Sequence, residues 1–443
     1  MRLWIKDPLA ILAQGAERGV VIEDSRIVEL VGRAAAPAAP VEASFDASRH
    51  VLLPGLVNTH HHFYQTLTRA HPDAINRDLF PWLVALYPIW ARLKPAQLRV
   101  AVRLALTELM LSGCTTAADH HYLYPAGLEN AVDIEVEAAR EVGLRMTVTR
   151  GSMNLSKKDG GLPPDEVVQD EETILRDSER VLKLFHDPAP GAQIRIALAP
   201  CSPFSVTRRL MTDTAALAER HDCQLHTHLC ETKDEERFCL DMYGMRPVDF
   251  LEATGWMSPR SWLAHGIHFS AEEIGRLGRA GVGVCHCAAS NMVLASGICP
   301  TKDLDAAGAP VGIGVDGSAS NDSSNLMEAL RHALMIGRLR YGASAVTHLD
   351  VLRWATEGSA RCLGRADIGR IAVGMAADLA LFALDEPRFS GAHDPLAALV
   401  LCGAHRADRV MVAGQWRVVD GAPVGVDLAA LIAEHRAAAR AFA

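Results

Sequence analysis

Leu53-Pro54-Gly55-Leu56-Val57-Asn58-Thr59-His60-His61-His62 joins a short apolar run to a cluster of imidazoles. A run of that length reads as a buried strand, and the imidazoles after it place chemistry at the strand's end. With Leu53–Asn58 as the first, seven further runs repeat the plan: Thr115–His120, Leu144–Arg150, Ile194–Pro200, Gln224–His228, Trp262–His265, Val282–His286 and Val311–Asp316. Helical stretches separate most of them, at Ala96–Leu111, Glu129–Val142, Glu171–Phe185, Leu210–Arg220, Glu235–Thr254 and Ala271–Ala280. After the last run, Leu326, Leu330, Leu334 and Arg338 share one helical stripe, with Asp322, Ser323 and Ser324 as candidate caps. Eight strand-then-helix units predict an α/β fold, a TIM-type (β/α)8 barrel. A doubly wound open sheet would need a Gly-rich phosphate loop after its first strand, and the sequence has none there.

The two ends of the chain have another texture. Gly19-Val20-Val21-Ile22 and Arg26–Val31, joined by the polar turn Glu23-Asp24-Ser25, predict a hairpin. Arg409–Val412 and Gln415–Val419, joined at Ala413-Gly414, predict a second, and Asp378–Phe382 is a further strand. The Ala/Pro stretch Arg33–Pro40 reads as a surface connection. Strand-rich ends around one long middle imply a small, discontinuous, β-sandwich-like domain from residues 1–55 and 368–425. The barrel then spans 56–367, and the Ala/Leu/Arg-rich segment 426–443 is a C-terminal helix.

Composition narrows the function. Of 443 residues, 49% are apolar and 22% charged, as in an ordinary globular chain. The net charge of −9 opposes a role on nucleic-acid backbone or anionic membrane, so a free small molecule is the expected partner. No run reaches the ~18 apolar residues of a membrane helix. Met1-Arg2-Leu3-Trp4-Ile5-Lys6-Asp7 lacks the apolar core of a signal peptide, so the expected compartment is the cytoplasm. Ten cysteines stay reduced there. Cys285 and Cys287 flank His286 with no second pair at zinc-finger spacing, and are expected to be buried strand residues.

In a parallel barrel the carboxyl ends of all strands meet at one rim. The assignments therefore bring together His60 and His62 after strand one, Cys201 after four, His228 and Glu231 after five, His265 after six and Asp316 after eight. On an extended chain His60 and His62 point the same way while His61 faces away. Taken singly, the His triplet could be a surface cluster or hydrogen-bonded loop, His228 and His265 core histidines, and Asp316 a turn cap. Taken together, they offer three imidazoles and a carboxylate, a set that suits Zn2+ or Fe2+ with a position left for water. A divalent ion brings the pKa of such a water from ~16 toward ~7. Asp316 and Glu231 are then available as proton acceptor and donor, with His265 to polarise the attacked centre.

These segments carry a resemblance. Pro54–His62, His228 with Glu231, Ala264-His265-Gly266 and Val315-Asp316-Gly317 are similar to the amidohydrolase superfamily, and to its deaminase branch most of all. Gly374–Leu379 resembles that family's return into its small β-domain, so the likeness runs from residue 3 to residue 425. It implies His60, His62, His228 and Asp316 as metal ligands, Glu231 as proton donor to a substrate ring, and His265 beside the attacking water. Binuclear members need a carboxylated Lys after strand four. Ile196–Cys201 has no Lys, so one divalent ion per subunit is expected, zinc ahead of iron. A homo-oligomer, taken as a dimer, is implied as well.

Within the branch, Asn58–Arg69, Ser112–Tyr122, Thr149–Met153, Ala199–Thr207 and Gly314–Asn321 are most similar to the bacterial 8-oxoguanine deaminases. The implied reaction removes the 2-amino group of an oxidised purine base, 8-oxoguanine, giving urate and ammonia. Aminohydrolases of guanine, pterins such as isoxanthopterin, and s-triazines are the neighbouring alternatives. A non-catalytic barrel is opposed by the presence of all six polar groups. Gln65 stands where guanine-deaminating members carry Gln, suited to a purine amide edge or simply to a helix start. Those members carry an Arg after strand four, where this chain has Cys201, a small thiol that leaves room for an oxygen at C8. Trp82 is a candidate to stack on the purine, Tyr87 and Trp90 are alternatives, and core packing is the plain reading of all three. Arg150 is a candidate for a ring carbonyl or for a salt bridge. His121 and Tyr122 receive no role.

Overall fold

The computed structural model describes residues 1–442. Its centre is a closed barrel of eight parallel strands. In chain order these are β1 (Leu56–Asn58), β2 (Cys114–Ala118), β3 (Arg145–Ser152), β4 (Ile194–Pro200), β5 (Gln224–Leu229), β6 (Ser261–His265), β7 (Gly283–His286) and β8 (Val311–Ile313). β8 closes onto β1 where Ile313 lies beside Asn58. Nearly every strand residue is buried. Helices cover the outer face and side chains fill the inner one, which is why the strands read as continuous apolar runs rather than alternating ones.

All eight predicted runs enter the barrel, with corrections at several of their ends. The strand of Thr115–His120 stops at Ala118, that of Leu144–Arg150 runs on to Ser152, and two others change more. Leu53–Asn58 is not one strand. His50–Pro54 pairs antiparallel with Leu379–Ala383 outside the barrel, and only Leu56–Asn58 is a barrel strand. The break falls at Gly55, where a Cβ would lie 2.1 Å from Thr115 Oγ1, so a side chain would hold β1 off β2. At the other end, the strand of Val311–Asp316 stops at Ile313, and Gly314–Asp316 continues outside it.

Two helix readings also change. Glu235–Thr254 is two helices, Lys233–Tyr243 and Pro247–Ala253, because Gly244 at φ +67 ends the first and Pro247 opens the second. Helix Leu326–Tyr341 is capped by Asn325, whose side chain accepts from the Glu328 amide, and not by Asp322, Ser323 or Ser324.

The strand-rich ends build two sheets. Arg2–Lys6, Gly19–Glu23, Arg26–Leu30 and Ala43–Asp46 form one, and His50–Pro54, Leu379–Ala383 and the hairpin Arg409–Val412/Gln415–Val419 belong to the other. Leu3, Ile5, Val20 and Ile22 of the first share a core cluster with Leu52, Leu381 and Met411 of the second. Helix Leu428–Phe442 contacts helix Pro95–Leu111. Among the described residues, no helix is long and apolar enough to cross a membrane.

A buried ion pair joins the barrel to these sheets. Arg145, the first residue of β3, donates from Nε to Asp378 Oδ2 at 2.6 Å, and the two side chains are 2% and 1% exposed. Asp378 Oδ1 also accepts from the Ala413 amide at 2.7 Å. Removing one partner of a buried pair strands the other charge away from water. Asp378→Ala is therefore expected to lose about 3–5 kcal/mol of stability. Urea unfolding checks this, and a loss under ~1 kcal/mol, the size of a surface pair, contradicts it.

Candidate active site

His62, His228, Glu231, His265 and Asp316, from the carboxyl ends of β1, β5, β6 and β8, line one cavity. His60 joins them through Asp316, whose Oδ1 lies 3.3 Å from both His60 Nε2 and His62 Nε2. The six groups named from sequence thus converge.

The hydrogen bonds behind the imidazoles fix which nitrogen of each carries the proton. A carbonyl oxygen can only accept. His62 Nδ1 therefore donates to the His120 carbonyl at 2.7 Å, and His228 Nδ1 to the Cys201 carbonyl at 2.6 Å. His226 Nδ1 donates to the Trp262 carbonyl at 2.8 Å, so its Nε2 is an acceptor, and His60 Nδ1 donates to it at 2.8 Å. The Nε2 atoms of His60, His62 and His228 are left as bare lone pairs. Those of His62 and His228 face each other at 3.2 Å, and His60 Nε2 is buried with no partner. Three lone pairs and a carboxylate meeting without a donor are stable around a cation, which converts mutual repulsion into ligation. The residues present fit a divalent metal ion. His61, as expected, faces away and meets Ser324 Oγ at 2.9 Å.

The acid and base groups sit beside that cluster. His265 Nδ1 donates to Asn291 Oδ1 at 3.0 Å, and its Nε2 lies 3.5 Å from Glu231 Oε2 and 3.9 Å from Asp316 Oδ2. Burial disfavours charge on His265, but Glu231 and Asp316 outweigh it and hold the pKa above the usual imidazole value. Burial pushes the Glu231 carboxyl upward, the direction a proton donor needs. Burial also opposes charge on Asp316, yet His60 and its neighbouring imidazoles hold it well below the usual carboxylate range. His265 and Asp316 have φ of +71 and +68. Such backbone is uncommon for non-glycine residues and costs about 1–3 kcal/mol each, strain of the kind found where side-chain aim matters.

The remaining candidates divide. Gln65, Trp82 and Cys201 line the cavity, as does Tyr87, and Trp90 does not. Gln65 is held by the Ala319 amide at 3.4 Å, while its Nε2 has no partner. Trp82 donates from its indole to the Ala319 carbonyl at 3.0 Å. Burial pushes the Cys201 thiol up to about 12, so it keeps its S–H at neutral pH. Arg150 does not reach the cavity. β3 runs on to Ser152, and the buried guanidinium donates to Asp177 and Gln169, both at 2.8 Å, over the Tyr124 ring. It is a structural ion pair, not a substrate contact.

Three participants escaped the sequence reading. His120 lies in one ligand group with His60, His62 and His228, stacks on the His228 ring at 4.7 Å and leaves Nδ1 unpartnered. Its place just after β2 was the signal. Tyr122 lines the cavity against His62. Glu235 accepts from the amides of Cys230 and Glu231 at 2.7 and 3.2 Å and so orients Glu231. Cys287 also lies within ligating range of His60, His265 and Asp316, but as a buried residue just after β7.

A model of the amidohydrolase family matches residues 51–417. The chain belongs to the amidohydrolase family. Among other amidohydrolases, it is 64% identical to the 8-oxoguanine deaminase of Pseudomonas aeruginosa, across 100% of this chain and 99% of that protein. It is 35% identical to an isoxanthopterin deaminase from an unknown prokaryotic organism, across 98% and 96%. Its structure matches that of atrazine chlorohydrolase from Arthrobacter aurescens TC1, solved in complex with zinc, with a TM-score of 0.93 and 33% identity over 99% of this chain and 100% of that one.

One glycine sets the position of Gln65. A Cβ at Gly317 would fall 1.9 Å from Gln65 Oε1. Gly317→Ala must displace that amide, and the expected result is a rise in KM of about tenfold, or ~1.4 kcal/mol, with metal content unchanged. Steady-state kinetics with metal analysis checks it, and an unaltered KM contradicts a role for the amide in binding.

Proposed function

We propose that this amidohydrolase is a deaminase that hydrolyses 8-oxoguanine to urate and ammonia. The observation that carries the substrate is the 64% identity to the Pseudomonas aeruginosa 8-oxoguanine deaminase over the whole chain. The chemistry is supported by the six converging side chains. His60, His62, His228 and Asp316 would hold one ion in the cavity, and three imidazoles with one carboxylate favour zinc. When bound, the ion supplies Lewis acidity that makes hydroxide available near neutral pH.

The chain's own residues then handle protons and position. Water adds to C2 of the purine, and Asp316 accepts the proton it sheds. Glu231, whose carboxyl burial pushes upward, gives a proton to the adjacent ring nitrogen. His265 steadies the negative charge of the tetrahedral intermediate. Asp316 next passes its proton to the amino group, the C2–N bond breaks and ammonia leaves, and the remaining hydroxyl proton returns to Glu231 as the C2 carbonyl of urate forms. Gln65 presents its free amide to the polar edge of the base, and Trp82 covers the ring. Cys201 takes the position beside the five-membered ring, where a protonated thiol tolerates the C8 oxygen and donates weakly to it. The substrate is a free base, met in the cytoplasm by a homo-oligomeric enzyme.

Three measurements test this. Urate appearing from 8-oxoguanine, with a guanine control run beside it, is expected for the wild type. Asp316→Asn should lower turnover by about a thousandfold or more, as removal of a general base does. Near-normal turnover of that variant contradicts the assignment. Cys201→Ala is expected to reduce the preference for 8-oxoguanine over guanine about fivefold, roughly 1 kcal/mol for a weak hydrogen bond. An unchanged ratio of kcat/KM values removes Cys201 from the specificity account.

A further inference from the structure

β2 runs on into Asp119-His120-His121, and the following helix, Ala131–Val142, carries Glu135. Asp119, His121 and Glu135 are fully buried, and none lines the reaction cavity. Their ligating atoms lie within 4.8 Å of one another. Buried polar atoms ordinarily find partners. Here Asp119 Oδ2, both carboxylate oxygens of Glu135 and His121 Nδ1 have none.

The tautomer of His121 sharpens the point. Its Nε2 lies 2.7 Å from the Leu123 carbonyl oxygen, which can only accept, so Nε2 holds the proton. Burial keeps the ring neutral, with its pKa down at about 3. Nδ1 is therefore a bare lone pair, and it faces Glu135 Oε1 at 3.4 Å. A hydrogen bond between a nitrogen and an oxygen is ordinarily about 2.7–3.2 Å long, so this separation is longer than one. Two ligands each ~2.1 Å from a tetrahedral ion are ~3.4 Å apart. The lone pairs of the reaction cavity show nearly the same spacing, 3.2 Å between His62 and His228 and 3.3 Å from Asp316 to His60.

We propose that Asp119, His121 and Glu135 form a second, structural site for a divalent transition-metal ion. Two carboxylates and an imidazole neutralise a 2+ charge and offer the mixed oxygen and nitrogen donors that suit Zn2+. The ion raises the count per chain from the one expected from sequence to two. Its role is positioning. Asp119 Oδ1 accepts from the Phe63 amide at 2.8 Å, and the neighbouring His120 carbonyl accepts from His62 Nδ1 at 2.7 Å. An ion that pins Asp119 and His121 thus braces the backbone just after His62 and the carbonyl behind its ring. This site does not depend on which substrate the cavity accepts. The competing occupant of the same space is a pair of shared protons, since burial pushes both carboxyls upward.

Counting zinc by elemental mass spectrometry, on protein loaded with Zn2+ and freed of excess, separates the two. The expected values are two ions per chain for the wild type, one for Glu135→Gln and one for His228→Ala. A wild type with a single ion, kept in Glu135→Gln and lost in His228→Ala, overturns the second site and leaves the proposed reaction standing. Two ions in a protein that forms no urate overturn the reaction and leave the second site standing. A zinc-edge anomalous difference map of the wild type needs no variant to fold. A peak among Asp119, His121 and Glu135 is expected, and its absence beside a peak in the cavity overturns the proposal.

Discussion

Every imidazole that faces the cavity commits its one proton to an acceptor behind it. The His120 and Cys201 carbonyls take those of His62 and His228, and the relay through His226 to the Trp262 carbonyl takes that of His60. The His120 and Cys201 acceptors are backbone atoms at or near strand ends and the His60–His226 relay ends on another, so barrel register largely decides which of these ring nitrogens is left bare. Burying three lone pairs against a carboxylate with no donor costs several kcal/mol unless a cation enters. The metal-binding property of the cavity is therefore built by hydrogen bonds outside it, as outer partners orient ligands in metal sites generally.

Much of this was legible in the sequence, and the reason is geometric. Strand ends of a parallel barrel project to one rim, so His60, His62, His228, His265 and Asp316 could be gathered from the ends of four runs without any distance being known. What stayed hidden depended on side-chain direction. Arg150 read as the end of a strand, but β3 runs two residues further, which turns the guanidinium to Asp177 and away from the cavity. Glu235 carries no motif, since its work of holding the Glu231 amide is visible only once the turn after β5 is folded. The single run Leu53–Asn58 concealed a change of sheet at Gly55, which only contact with Thr115 explains.

The same constraint separates chemistry from specificity. The proton-handling groups lie on strand ends and their immediate turns, two of them in strained backbone that the barrel over-determines. The groups proposed to read the substrate, Gln65, Trp82 and Cys201, come from segments between strands and are fixed by secondary contacts such as the Ala319 backbone. Such segments vary with little penalty to the fold, which is consistent with relatives at 33–35% identity that act on a pterin or a triazine within the same architecture.

The central claim is that the bare Nε2 atoms of His60, His62 and His228 await a cation while their Nδ1 atoms stay protonated. Nitrogen-15 NMR of histidine-labelled protein, recorded without metal and after zinc loading, tests it most directly. The account predicts that zinc moves the Nε2 resonances of these three residues and leaves each Nδ1 protonated. Protons found on Nε2 in the metal-free protein, or zinc shifting Nδ1 instead, would contradict it.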